Sequence, residues 1–329
     1  MKIRRAVLRE RLPGYAVQAT LLAVVAWLAV AGIGNFVANL QRMHIASGFG
    51  FLRAQAGFEI AQSLIAFETG ATYGRAIVVA TLNTLVVVVL GSLLSTLLAV
   101  PIAFGRLAGH PLVRGACATY VETFRNIPLL LQIFFWYFSV LAVLPPVADT
   151  FDLGGILLNN RGLFLPRLHV AGGFAFEWPH AEGLNVEGGF ALLPELVALT
   201  LGLAIYNSAF LAEIFRAGIL SVPRGQSEAA ATVGLTGTRA ALLIVLPQAL
   251  RLALPPAASQ YQTLAKASSL GAAIGYPDIM QIVGGTILSQ TSQALEAMSL
   301  VVLLYAVINL LIALAMNLAN RRMTRHPAH

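Results

Sequence analysis

"EAAATVGLTGTRAALLIVLP", residues Glu228–Pro247, joins a short Ala-rich segment to a glycine and then to an apolar run. Pro223 and Gly225 break the preceding apolar segment, Ser227 or a neighbour can cap a new helix, and Glu228 falls in its first turn, where a carboxylate suits the positive helix end. Gly234 reads as a left-handed C-terminal turn, which limits the first helix to about two turns. Thr236 can cap a second helix that runs toward Leu246 and is stopped by Pro247. So short a helix is marginal alone in water, because nucleation is costly and few hydrogen bonds follow. It needs a partner surface. Ala229, Ala230 and Ala231 carry almost no bulk and permit close approach to another protein. The alternative is a short amphipathic linker on the membrane surface, and periodicity leaves the two readings open.

The flanks decide the class. Apolar residues make up 58% of the chain and charged residues 11%, with a mean hydropathy of +0.78, far from the roughly 25% charged content of soluble domains. An integral membrane protein follows. Spans of on the order of 20 apolar residues fit residues 15–34, 77–104, 128–144, 192–214, 254–274 and 297–318, so about six helices are expected. The fifth is the weakest, being interrupted by Pro255, Pro256 and Lys266. Of the 21 Lys and Arg residues, 15 fall on the two ends and alternate loops, five on the opposite loops, and Lys266 inside a span. The excess of positive charge puts both termini and the Glu228–Pro247 segment in the cytoplasm. A cleaved leader is the competing reading of the first span, given its basic start and its Ala29-Val30-Ala31 triplet.

Two segments on the outer side are long enough for structure of their own. Residues 35–75 contain "GFGFLRAQAGFEI", which reads as an interfacial or re-entrant element. Residues 147–191 carry Asp149, Asp152, Glu177, Glu182 and Glu187 among many glycines and read as a solvated lobe or long loop. A binding or docking role and an insertion without contact function both fit it.

Most catalytic chemistry is excluded. A P-loop needs a Lys after its glycines, and neither Lys2 nor Lys266 follows a GxxxxG. The six histidines lack i, i+4 pairing, so no metal site is expected. No GxSxG elbow occurs. Cys117 is the single cysteine, which excludes an internal disulfide. Basic residues lie in short runs without aromatic interleaving, which argues against nucleic acid as a partner.

Glu228-Ala229-Ala230, three residues, Gly234, nine residues and then Ile244-Val245-Leu246-Pro247 resembles the EAA loop of permease subunits of bacterial ABC importers. The surrounding "VPRGQSEAAATVGLTGTRAALLIVLPQALRLALPP", with "YVETFRNIPLLLQIFF", "AEIFRAGILSVPRGQ" and "KASSLGAAIGYPDIMQ", is similar to the polar amino acid subgroup. "GFGFLRAQAGFEI" and "LSQTSQALE" are similar to the permeases of general L-amino acid or glutamate, glutamine, aspartate and asparagine systems.

The resemblance implies an all-α, type I importer fold: a membrane anchor with an outer segment over 1–76, a permease core over 77–322, and a tail over 323–329. The core would include the outer insertion at about 147–191 and the EAA loop at 223–251. It also implies an inner-membrane location, a cytoplasmic P-loop ATPase that binds the ATP and Mg this chain does not, and a second permease forming a heterodimer. A periplasmic amino-acid-binding protein and an L-amino acid substrate complete the set of partners. Glu228 would orient the coupling helix, Ala229 and Ala230 permit close approach, Gly234 hold the turn, and Pro247 end the motif. A channel or secondary transporter for small polar solutes is the alternative.

Polar groups within a bilayer are costly and face partners or water. Asn83, Gln132, Asn207, Ser208, Lys266, Ser268 and Ser269 are therefore candidates for a translocation path, with Glu213 and Gln260 beside them. Interhelical hydrogen bonding is the competing role for each, worth about 0.6 kcal/mol per bond. Glu213 with Arg216, and Glu122 with Arg125, are spaced for structural salt links. Gly271 and Gly275 form a GxxxG suited to helix contact.

Overall fold

The computed structural model describes residues 48–68, 70–169, 175–182, 185–235 and 237–324, with residues 17–28, 30–32, 34–35 and 38 of the first apolar segment. The protein is mostly helical. Its long helices are α1 (Tyr73–Leu107), α2 (Pro111–Asn126), α3 (Leu129–Val143), α4 (Pro194–Leu220), the short α5 (Arg224–Thr232), α6 (Leu246–Ala267) and α7 (Ala294–Thr324). Among the described residues, four helical stretches are long and apolar enough to cross a membrane: α1, α4, residues 237–274 and α7. The α2–α3 pair, bent by 104°, makes a fifth when counted as one broken span. The first expected span falls partly outside the described residues.

Side-chain contacts fix the directions. Gly91 of α1 faces Leu203 of α4, and Ser95 accepts a hydrogen bond from Asn207, so contacts advance together and these two helices run parallel. Ile133 of α3 lies against Gly202 and Tyr137 bonds Glu195, so α3 runs antiparallel to α4. Gln260 of α6 meets Asn207 while Ala253 meets Gly218, which makes α6 antiparallel as well. The bent α2–α3 pair must therefore return the chain from the end of α1 to the start of α4.

The α1–α4 seam is the centre of the molecule. Gly91, Ser95, Ala99 and Ala103 recur every four residues on α1, and all are buried. Ala204, Ser208 and Ala212 repeat that spacing on α4. Small residues at this interval let helix backbones approach closely, which is how helices pack where lipid removes the hydrophobic driving force between them.

Several boundaries depart from expectation. Residues 111–126, which lie between the second and third expected spans, form a helix packed on α1 and α4 through Tyr120 and Val121. Pro128 lacks an N–H and divides this helix from α3. Helix α1 starts at Tyr73 rather than Ile77, because Thr72 accepts the Arg75 N–H at 3.3 Å and caps it. Pro255 and Pro256 lie inside α6 without ending it.

The all-α description holds for the membrane part only. Residues 147–192 build a small β-lobe in which β1 (Phe151–Asp152), β2 (Leu157–Asn159), β3 (Gly162–Leu165) and β8 (Phe190–Leu192) form one antiparallel sheet in that order. Two hairpins, β4 (Arg167–His169) with β5 (Ala175–Glu177) and β6 (His180–Glu182) with β7 (Asn185–Glu187), lie between β3 and β8 in the chain. Residues 48–72 are neither free nor loosely attached: Ala56, Ile60 and Gln62 are buried, and the Gly48 N–H donates to Glu296 at 2.6 Å.

Gly271 and Gly275 do not share a helix contact. A Cβ at Gly271 would lie 2.6 Å from Leu199, but Gly275, at φ 81°, is the left-handed end of a 3-10 turn. The tightest backbone contact of α4 with α6 is at Gly218, where a Cβ would sit 2.9 Å from the Ala249 carbonyl oxygen and 3.0 Å from Ala253. Gly218→Val is expected to cost about 1–3 kcal/mol by overpacking, read as a lowered thermal midpoint in detergent. Gly237→Ala, where a Cβ meets nothing within 4 Å, is expected to leave that midpoint unchanged.

Candidate functional site

The segment that carries Glu228–Pro247 follows directly from the end of α4. Helix α5 begins at Arg224 with Pro223 as its N-cap, and no side chain caps it. Ser227 therefore lies inside the helix, and Glu228 falls past the first turn, which holds no acid. The reason is local: Pro223 ends α4's trailing turn and fixes the backbone geometry that starts the next helix. The C-terminal expectation stands. Gly234 adopts φ 78°, the Leu235 N–H donates to the Ala230 carbonyl at 3.1 Å, and the Gly234 N–H donates to Ala231 at 3.0 Å. This is a Schellman turn, and it closes α5 after nine residues.

The chain then forms a helical turn over Gly237–Ala240, a π segment over Ala241–Val245, and α6. Pro247 does not stop the helix: it lies in the first turn of α6, where its missing N–H is tolerated. Thr236 lies outside the described residues. Gln248 donates to Gln226 at 3.2 Å and to the Ile244 carbonyl at 3.1 Å, tying the start of α5 to α6.

Burial on α5 is one-sided. Ala230 is 4% exposed, while Glu228, Ala229, Ala231 and Thr232 are open and Val233 is 75% exposed. Helix α5 rests on the π segment and on residues 237–240. Ala230 thus serves the contact with the protein's own chain, and Ala229 and Ala231 give the free face its flatness.

The polar residues of the spans fall into separate groups. Asn207 of α4 donates to Ser95 of α1 at 3.1 Å and accepts from Gln260 of α6 at 2.7 Å, so one amide joins three helices. Ser208 bonds the Tyr120 hydroxyl at 2.8 Å. Gln132 of α3 donates to the Phe124 and Ile127 carbonyls at 2.9 and 3.0 Å, groups freed where Pro128 breaks the helix. Asn83 donates to the Gln62 and Pro277 carbonyls at 2.8 and 3.0 Å. Ser268 is buried and donates to Ala265. Lys266 alone of these candidates is exposed, and the Ser269 hydroxyl donates to the Lys266 carbonyl at 2.7 Å.

Toward the end that carries α5, Glu213 accepts from Arg216 Nε at 3.0 Å and lies 3.4 Å from Arg106 of α1. Arg125 stacks over the Phe210 ring at 4.8 Å, with no link to Glu122 among the described contacts. The expected Glu213–Arg216 pair is present, and the expected Glu122–Arg125 pair is not.

With this geometry in place, similarity to known proteins becomes decisive. Residues 91–325 match the family described as binding-protein-dependent transport system inner membrane component. The chain belongs to that family. Among its relatives, the putative amino-acid ABC transporter permease protein YhdX of Escherichia coli is 40% identical, across 93% of this chain and 94% of that protein. The general L-amino acid transport system permease protein AapQ of Rhizobium johnstonii is also 40% identical, across 92% and 89%. A crystal structure of an amino acid ABC transporter with histidines superposes with a TM-score of 0.56 at 23% identity, covering 76% of this chain and 95% of that one. The methionine transporter MetNI gives 0.54 at 18% identity over 76% and 96%. At such identities the likeness bears on the fold alone. The permease is a multi-pass membrane protein and a transport subunit.

Sequence reasoning passed over Asp278. It is fully buried where the 3-10 turn over 268–274 gives way to a π segment over Met280–Ile287. Its carboxylate accepts the Gln281 N–H at 2.7 Å and the Tyr305 hydroxyl at 3.2 Å, and Thr84 accepts the Ile279 N–H at 3.1 Å. Asp278→Ala leaves the Gln281 N–H and the Tyr305 hydroxyl without this acceptor and is expected to lower the thermal midpoint in detergent.

Proposed function

We propose that this chain is the permease subunit of an ATP-driven importer for L-amino acids of broad range, coupled through α5 to a separate cytoplasmic P-loop ATPase. The observation that carries the reading is the state of α5: a nine-residue helix closed by a left-handed glycine and exposed on every side but Ala230. Such a helix gains little stability by itself, so a flat, small-residue face on it fits a groove in a second protein. The amino-acid permeases among its relatives support the substrate class.

In this reading both termini and α5 lie in the cytoplasm. The β-lobe, at the far end of a 27-residue α4 about 40 Å long, lies outside, where a periplasmic amino-acid-binding protein delivers substrate. ATP and Mg belong to the ATPase, and a second, different permease completes the pore. Closure of the ATPases moves α5, and α5 moves α4 and α6, between which it is strung, with Gln226 tied to Gln248 of α6. Glu228, Ala229 and Ala231 present the docking face, Ala230 and Gly234 set its angle, and Pro247 allows the helix to run on into the membrane. Lys266 and Ser269 line the path against the second permease. Asn83, Gln132, Asn207, Ser208 and Ser268 hold the walls of that path.

Reconstitution of the importer with its binding protein tests this. Radiolabelled L-amino acid uptake is expected to require ATP inside the vesicle and to persist when ion gradients are collapsed. A Cβ at Gly234 meets no atom within 4 Å, so substitution there acts through the backbone, at about 1–2 kcal/mol for a left-handed residue, and through bulk on the docking face. Gly234→Arg is expected to abolish uptake while the complex still assembles, and Gly234→Asn, which tolerates this conformation, to retain most of it. Normal uptake by Gly234→Arg would sink the assignment of α5.

A further inference from the structure

The β-lobe leaves large apolar side chains open to solvent: Phe151, Leu153, Phe176 and Trp178 are each more than half exposed. They gather at one end of the lobe. The Phe176 and Trp178 rings meet with centroids 6.4 Å apart. The Trp178 ring lies over Gly155, where a Cβ would run into it. Gly155 belongs to the β1–β2 turn, in which the Leu153 N–H donates to the Ile156 carbonyl at 2.9 Å. Phe151 stands two residues earlier, on the edge strand of the four-stranded sheet.

The register of the sheet fixes where this end lies. At the opposite end of β2, Asn159 pairs with Gly162, and Gly162 abuts Leu192 and Leu193 at the entry to α4. The Asn160 N–H of the same β2–β3 turn donates to the Pro145 carbonyl at 2.7 Å, just past the end of α3. Both membrane helices thus join the sheet at its β2–β3 end. The aromatic patch lies at the other end, a three-residue strand away, or about 10 Å.

Charge also sets the patch apart from a lipid-facing surface. Residues 147–192 carry five Asp and Glu against two Arg, in a chain of formal net charge +7. Asp152 lies between Phe151 and Leu153, and Glu177 lies between Phe176 and Trp178. Glu187 is exposed next to Gly188, which abuts the Trp178 carbonyl and the Glu177 side chain. Of the two cations, Arg167 is opposite Glu177 across the β4–β5 pair, and Arg161 is in the β2–β3 turn. A bilayer interface takes up aromatic rings, but an anionic one repels carboxylates beside them. Aromatic side chains at the centre and charge at the rim are the composition of a protein–protein contact.

We propose that this tip of the lobe is the docking surface for the importer's soluble amino-acid-binding protein, which meets it with an apolar patch rimmed by Lys or Arg. The family's dependence on a binding protein names the partner, and the outward position of the lobe gives it access. The proposal rests on the importer reading and adds to it the place and the chemistry of the contact. Leu153, Phe176 and Trp178 are the anchor that holds the complex. The carboxylates steer its approach and act mainly on the rate of association.

The test uses the purified importer complex in nanodiscs and its amino-acid-binding protein purified separately, with capture kinetics and ATP-driven uptake both measured. Leu153→Ser combined with Phe176→Ser, at two exposed positions, is expected to weaken capture roughly tenfold or more through faster dissociation. Glu187→Lys is expected to slow association and to reduce its dependence on salt. In uptake, both variants are expected to need more binding protein for half-maximal rate and to reach the wild-type rate at saturation, a split that a damaged permease would not give. Capture and uptake unchanged in both variants, in complexes that assemble normally, overturns the site. Loss of the second permease from the variant complexes, or a change in lipid binding with capture intact, gives the tip another partner and overturns it equally. ATP-driven uptake by the wild type separates the two failures: where it is present, only the docking site falls, and where it is absent, the importer reading falls as well.

Discussion

Within a bilayer every backbone N–H and C=O must find a partner inside the protein, because lipid offers none. This chain breaks its helices several times, and side chains both near and far in the sequence take up groups freed at the breaks. Gln132 takes up the carbonyls released at Pro128. Asn83 and Thr84 of α1 reach across to Pro277 and Ile279, and Asp278 receives the Gln281 N–H where the π segment begins. The Tyr276 hydroxyl returns a bond to the Asn83 carbonyl at 3.1 Å. The contacts of Asn83, Thr84 and Tyr276 fix the end of the bundle where the β-lobe, the 48–72 segment and the start of α4 converge. The α1–α4 seam, with its four-residue repeat of small side chains, carries that order toward the other end.

The two ends differ in kind. At the lobe-bearing end, Asn83, Gln62 and Asp278 are buried and hydrogen-bonded, and a walled cavity lies beside them. At the end that carries α5, the Arg106–Glu213–Arg216 cluster ties α1 to α4, but beyond it α5 stands almost bare. The exposed short helix is fixed in angle by Gly234 and tied by Gln226 to Gln248 of α6, which fits the proposed role of a lever moved by a second protein. Asn207, shared by Ser95 and Gln260, joins α4 to α1 and α6.

Legibility in the sequence followed the range of the interaction. Gly234 could be read because a left-handed turn is set by a few neighbouring residues, and the long apolar runs could be read because lipid dictates their length. Pro223 misled the start of α5, since a serine cap was weighed above a proline that begins the helix unaided. Residues 111–126 fell outside the expected spans because Arg114, Glu122 and Arg125 dilute their hydropathy, although Tyr120 and Val121 pack on α1 and α4. Strands of two to four residues in the lobe are too short to show a period of two. The polar candidates were correctly singled out as unusual, but which of them meet depends on the rotation of each helix about its axis. Asp278 carried no signal at all, because its burial comes from residues far away in the chain.

The central claim is that α5 is where another protein grips this one. A photo-crosslinking residue placed at Ala231, on the open face of α5, tests it in native membranes, with the crosslinked product identified by mass spectrometry. Crosslinks to a P-loop ATPase whose yield changes when ATP is added are the predicted result. Crosslinks to lipid alone, in membranes from which the ATPase is recovered in quantity, would contradict it and make α5 a surface linker.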